Sequence, residues 1–223
     1  MKLDEKYREW MDWPGCATSV DCIDNLSSLV HFYREKNSHA GLSKLQNITH
    51  LLAKQVNQGF LEEITKLENL EYLEMETVTA EDIRQLKNLT KLRYLKISGI
   101  RKISDFTALL EIVGLRKLFI ENAKQLKSVD FLANAHNLVV LGVEGGMYTK
   151  QQIFSLQPLS KLAKLEALYL SSVQLEDKNL DCLSGNPKLE YLSSARFAPK
   201  SSFVSLRKQM PNLICKWCDH YEV

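Results

Sequence analysis

Two stretches of the chain, LENLEYLEMETV at 67–78 and LTKLRYLKISGI at 89–100, share an apolar pattern and almost nothing else. The pattern runs apolar, two free positions, apolar, one free, apolar, two free, apolar. Leu70, Leu73, Met75 and Val78 fit it, and Leu92, Leu95, Ile97 and Ile100 fit it 22 residues later. Leu115, Leu118, Ile120 and Ala123 follow after 23, and Leu138, Leu141, Val143 and Gly146 after another 23. Leu165, Leu168, Leu170 and Val173 come after 27, then Leu189, Leu192, Ser194 and Phe197 after 24. Upstream, Ile48, Leu51, Ala53 and Val56 lie 22 residues before Leu70. Leu213 opens a degenerate further copy, 24 residues after Leu189. Chance supplies one or two such windows, not a series in register.

A unit of 22–27 residues cannot bury its own apolar face. Stacked units bury one another's Leu and Ile in a continuous core. Each fully buried aliphatic contributes about 1.5–3 kcal/mol relative to exposure. The inward positions are therefore constrained and the outward ones free, so the apolar pattern repeats while the other letters vary.

The pattern resembles that of leucine-rich-repeat proteins, L-x-x-L-x-L-x-x-N/C-x-L, over roughly residues 45–213. The run from Ile83 through Leu86, Leu89, Leu92 and Leu95 to Ile97 is similar to the short-repeat subclass of phosphatase regulators and bacterial internalins. The resemblance implies an α/β fold: a right-handed solenoid with a parallel concave sheet and a helical or 3-10 convex side. One feature departs from the family. Its frequent Asn is replaced by Val56, Val78, Ile100, Ala123, Gly146, Val173 and Phe197. Without an Asn ladder the turn backbone groups need other partners, and less regular turns are expected.

Three segments are anticipated. Residues 1–44 lack the motif but carry Trp10, Trp13, Phe32 and Tyr33, and read as an N-terminal cap over the first repeat. Residues 45–198 form the solenoid, and 199–223 the last degenerate repeat and C-terminal cap. On the convex side, stretches 81–91, 130–138 and 202–210 read as helical, with Asp82, Ser128 and Ser201 as N-caps. The extra residues in 147–158 suggest an enlarged turn or bulging loop.

The free positions beside the inward leucines face outward from the sheet. Collected by column, they give an aromatic band of Tyr72, Tyr94, Phe119, Tyr169 and Tyr191. An acidic flank of Glu74, Glu76, Glu121 and Glu144 accompanies it, with Lys96 among the flanking charges. These ten residues are the candidate protein-binding site, on columns expected to carry no second layer. Aromatics are enriched in binding hot spots, although they also suit strands and pack across neighbours. Gly142, Gly145 and Gly146 would flatten the surface, either to admit a partner's backbone or simply to make a turn.

Other chemistry is thin. CKWC at 215–218, followed by His220, has the spacing of a redox or metal dithiol but no second ligand pair beside it. Phosphate-loop, nucleophile-elbow and zinc-helix signatures are not found in the sequence. The chain is expected to be non-catalytic, with no cofactor. A net charge of +2 gives no reason to expect nucleic acid or a membrane surface as partner. The charged N-terminus, the lack of a long apolar run and five irregularly spaced cysteines fit a cytoplasmic protein, with non-classical secretion as the alternative. The expected function is a monomeric protein-interaction module: an inhibitor, an immunity-type protein or an adaptor. The competing expectation is a regulatory or scaffold subunit acting through its non-repeat ends, WMDWPGC at 10–16 and CKWCDHY at 215–221.

Overall fold

The computed structural model describes residues 6–221. The first five and last two residues of the anticipated caps lie outside them. The chain forms two compact units: Trp10–Leu115 with Ala123–Gln125, and Met1–Glu9 with Arg116–Asn122 and Leu126–Val223.

In the first unit, alternating apolar and free residues produce strands β1 (Leu29–Tyr33), β2 (His50–Lys54), β3 (Tyr72–Glu76) and β4 (Tyr94–Ile100). They pair in parallel in that order. Leu51, Ala53, Leu73, Met75, Leu95 and Ile97 point inward and are fully buried. Strand β1 lies within the segment anticipated as a cap. Its register sets Val30 against Leu51 and Phe32 against Ala53. The template positions on either side are Ser27 and Glu35, which is why apolar pattern alone misses this strand.

In the second unit, β5 (Lys117–Ala123), β6 (Val140–Glu144), β8 (Ala167–Leu170), β10 (Tyr191–Ser194) and β11 (Ile214–Cys215) pair in parallel in that order. The inserted residues before Leu165 build β7 (Gln151–Ile153), which pairs with β9 (Val173–Leu175) in a separate small sheet. The expected loop is thus partly a strand. Gly145 turns the chain where a Cβ would lie 2.3 Å from the Ser172 carbonyl oxygen and 2.5 Å from that of Thr149. Only a residue without a side chain fits there.

The strand-to-convex turns are regular, contrary to expectation. The residue before the last motif position is left-handed in repeat after repeat. It is Gln55 (φ 61°), Thr77 (56°) and Gly99 (66°) in the first unit, and Asn122 (51°) and Ser172 (53°) in the second. Backbone bonds between neighbouring repeats take over the work of the Asn ladder. The Gln55 amide donates to the Glu76 carbonyl at 2.9 Å, and the Thr79 amide to Val56 at 2.8 Å.

The side opposite the sheet is mostly 3-10. Short helices span Arg84–Asn88 and Thr107–Glu111 in the first unit, and Asp130–Asn134, Gln157–Lys161 and Asp181–Gly185 in the second. Each is preceded by a short polar side chain that accepts the backbone N–H two residues on, an Asx or Ser turn. Asp82, Asp105, Ser128, Ser155 and Asn179 do so at 2.8–3.1 Å. Their spacing follows the repeat. Asp82 and Ser128 therefore act as turn-formers at these helix starts. Ser201 does not cap: the α-helix Lys200–Gln209 has Pro199 at its N-cap, with Ser201 inside its first turn. A second α-helix, Gln58–Ile64, is capped by Asn57, whose side chain accepts from the Phe60 amide at 2.9 Å.

Candidate functional site

The strand register aligns the outward residues in columns. In the first unit His50, Tyr72 and Tyr94 lie side by side, then Leu52, Glu74 and Lys96, then Lys54, Glu76 and Ser98. Tyr72 and Tyr94 stack at 4.0 Å between ring centroids with a 7° interplanar angle. His50 stacks on the other side of Tyr72 at 5.6 Å. Trp13 packs against Tyr72 at 5.8 Å, so this band is covered rather than open. Tyr72 is 1% exposed and Tyr94 5%. Burial, with the Glu74 carboxylate accepting from the Tyr72 hydroxyl, holds that hydroxyl well above its ordinary pKa. Glu74 and Glu76 do not present bare charge. Lys96 sits 4.0 Å from Glu74, and Lys54 3.3 Å from Glu76.

In the second unit the columns are Lys117, Val140, Ala167 and Tyr191, then Phe119, Gly142, Tyr169 and Ser193, with Glu121 opposite Glu144. Phe119 and Tyr169 tilt together at 5.5 Å, as do Tyr169 and Tyr191. Gly142 admits no partner backbone: its missing side chain is the space occupied by the Phe119 ring, whose Cδ1 lies 2.3 Å from where a Cβ would sit.

This face too is covered, by the chain's own residues Lys6–Glu9. The Arg8 guanidinium lies over both the Phe119 and Tyr169 rings, at 4.9 and 4.6 Å from their centroids, and pairs with the Glu144 carboxylate. Tyr7 stacks on Tyr191 at 5.9 Å, and its hydroxyl donates to Glu190, which also pairs with Lys6. Lys117 reaches the segment from the sheet, donating to the Tyr7 carbonyl at 3.2 Å and pairing with Glu9 at 2.7 Å. Glu144 is 4% exposed. Burial pushes its pKa up, and the Arg8 charge pulls it back. The pairing keeps an otherwise costly carboxylate under the aromatic layer.

The expectation of columns without a second layer is therefore corrected. Phe119 and Tyr169 are each 1% exposed and Tyr191 is half-buried. The physical reason is area. Three adjacent rings make an apolar patch that water disfavours, and a cation placed over π faces beside a carboxylate covers it well. Lys6, Tyr7, Arg8, Glu9, Trp13, Lys117 and Glu190 were missed in the sequence. The available signal was the size of the aromatic band, which called for a cover, together with the cation–aromatic–cation string KYR near the terminus.

No protein-family model matches the sequence, and no curated protein does. Solved structures match the fold. An internalin (inlF) from Listeria monocytogenes superposes with a TM-score of 0.62 at 20% identity, over 86% of this chain and 55% of that one. An internalin C2 from the same organism gives 0.55 at 24% identity, over 81% and 76%. The fold is a leucine-rich-repeat solenoid. The chain spans about half the length of the first of those internalins.

Outside the sheet face, Cys215 and Cys218 adjoin at the short helix Lys216–Asp219. The Cys218 thiol lowers the Cys215 pKa to about 7, while Cys218 itself is pushed up. All five cysteines are free. Among the described residues no cluster of three or more His, Cys, Asp or Glu side chains is placed to hold a metal ion. No described helix is long and apolar enough to cross a membrane.

Proposed function

We propose that this leucine-rich-repeat chain is a non-catalytic interaction module that binds a protein partner through the outer, concave face of its repeat sheet. The observation that carries the reading is the segment Lys6–Glu9, a peptide already held on that face by charge pairing, ring stacking and cation–aromatic contact. A surface that holds one peptide in this way has the chemistry to hold another. Phe119, Tyr169 and Tyr191 are the anchors on the second unit, where that segment lies; Tyr72 and Tyr94 form a separate aromatic band on the first. Glu121 and Glu144 set the charge pattern of the second unit's face, and Glu74, Glu76 and Lys96 that of the first unit's. Free cysteines favour a reducing, cytoplasmic setting, and inhibitor, immunity-type and adaptor roles all use such a module.

The test is affinity capture from native-host lysate with wild type beside Glu121→Lys/Tyr191→Ala, once equal thermal stability is established. A partner held by wild type and lost by the variant supports the reading. A partner held equally by both moves the site away from this face.

A further inference from the structure

The second unit's outer face holds the Arg8 side chain between two rings and a carboxylate. Arg8 has aromatic faces at 4.9 and 4.6 Å and a buried carboxylate as counter-ion. The flat guanidinium suits this arrangement, because it stacks on rings while its N–H groups meet the carboxylate. A lysine ammonium, compact and strongly hydrated, suits it less. Beside it, Tyr191 and Glu190 take an aromatic residue and its hydroxyl. The described contacts of the segment come from side chains and one carbonyl. A partner chain bringing an aromatic followed by arginine can reproduce the stacking on Tyr191 and the pairing with Glu144, and flanking basic and acidic residues can reproduce the rest.

We propose that the Phe119–Glu144–Tyr169 cradle is an arginine-recognition site for a protein partner carrying an aromatic–arginine pair, and that Tyr7–Arg8 is a built-in competitor that keeps it closed. This rests on the interaction-module reading and names its ligand chemistry. The choice of a partner segment follows from charge. Glu144 and Glu190 meet cations in the bound segment, while Lys117 meets its trailing carboxylate. The ligand is therefore a basic–aromatic–basic string followed by an acid. A partner must displace the resident segment, so its apparent affinity is reduced by the fraction of molecules in which the cradle is open.

The experiment uses the full chain. A fluorescent peptide of sequence 4–11, DEKYREWM, is titrated into wild type and into Tyr7→Ser/Arg8→Ser, with folding checked by circular dichroism. The open variant should bind the peptide, and wild type should bind it at least about tenfold more weakly, the factor set by a cradle open in a tenth of molecules or fewer. An Arg→Lys peptide should lose about tenfold, and Glu144→Gln added to the open variant should lose at least as much. If the double variant does not fold, Arg8→Lys in the full chain replaces it, and it should bind the arginine peptide more tightly than wild type does. Equal binding of the peptide to wild type and the open variant overturns the proposal, as does no binding to a folded open variant. Concentration-dependent dimers of wild type, with Tyr7–Arg8 exchanged between copies, assign the site to a second copy and also overturn it. A lysate partner that is lost on Glu121→Lys/Tyr191→Ala but does not compete with the peptide would leave the interaction-module reading standing and sink this one.

Discussion

Gly142→Ala is the most economical perturbation of the second unit's outer face. It adds one methyl group and no charge. An ideal Cβ at 142 lies 2.3, 2.9 and 3.2 Å from Cδ1, Cε1 and Cγ of Phe119. Ordinary carbon–carbon contact is about 3.5–4.0 Å, so the ring has to move by about 1.2 Å (3.5 − 2.3) at its nearest atom. It has little room. Phe119 is 1% exposed, with Tyr169 at 5.5 Å and the Arg8 guanidinium at 4.9 Å over its face. Overpacking of this kind costs about 1–3 kcal/mol. In a chain of this size each kcal/mol moves Tm by about 2–4 °C, so a fall of about 2–12 °C is expected. The assay is a thermal melt followed by circular dichroism, run on a double-mutant cycle with Phe119→Leu. Leucine is smaller than the ring and frees the space, so the double variant should be more stable than additivity predicts, by about 1 kcal/mol. A Gly142→Ala melt within about 1 °C of wild type refutes the packing argument, given the 2–4 °C that each kcal/mol should produce. A strictly additive cycle shows that the cost arises somewhere other than the Phe119 ring.

Three further outcomes are expected. Thr77 is β-branched and left-handed at φ 56°. Left-handed backbone costs an L-residue about 1–2 kcal/mol, and glycine gives back about 0.5–1 kcal/mol in unfolded-chain entropy, so Thr77→Gly should raise stability by about 0.5 kcal/mol in a urea melt. Ser128 accepts the Asp130 amide at 3.1 Å, and Ser128→Ala should cost about 0.5–1 kcal/mol by the same assay, while a neutral result would show that the turn needs no side-chain acceptor. His31 and His39 are held below the ordinary imidazole pKa, first by burial and then by Lys54 and Arg34 respectively. Below about pH 6.5 the unfolded chain therefore binds protons that the folded chain refuses, and stability should fall as the pH drops from about 7 towards 5. His31→Gln/His39→Gln should flatten that fall, and an unchanged pH profile would show that the two imidazoles take up protons as readily in the fold as in the unfolded chain.

What the sequence made legible was whatever recurs at fixed spacing. Leu73, Leu95 and Leu118 announce their strands because the same burial problem is solved at the same offset each time. The outward columns came with them, since inward and outward residues alternate by geometry alone. A second register was equally periodic and passed unread. Asp82, Asp105, Ser128, Ser155 and Asn179 mark the convex turns at the repeat spacing. Three different residue types share that task, and only the hydrogen bond they make unites them. Left-handed Gln55, Thr77, Asn122 and Ser172 were hidden for a related reason. Four different residue types take the same conformation, with the Gln55 amide donating to Glu76 and the Ser172 carbonyl accepting from Gln151, so residue identity hardly signals it. The cover over the aromatic band was beyond pattern altogether. Arg8 meets Glu144 across 136 residues and Tyr7 meets Glu190 across 183, each once, with no second copy to establish a period. A single long-range contact leaves one kind of trace in a sequence: a demand without a local answer. Here the demand was Phe119, Tyr169 and Tyr191, too much ring surface to leave wet, beside Glu144, a carboxylate in need of a cation. Their answer is Tyr7 and Arg8, which supply a ring and a cation together.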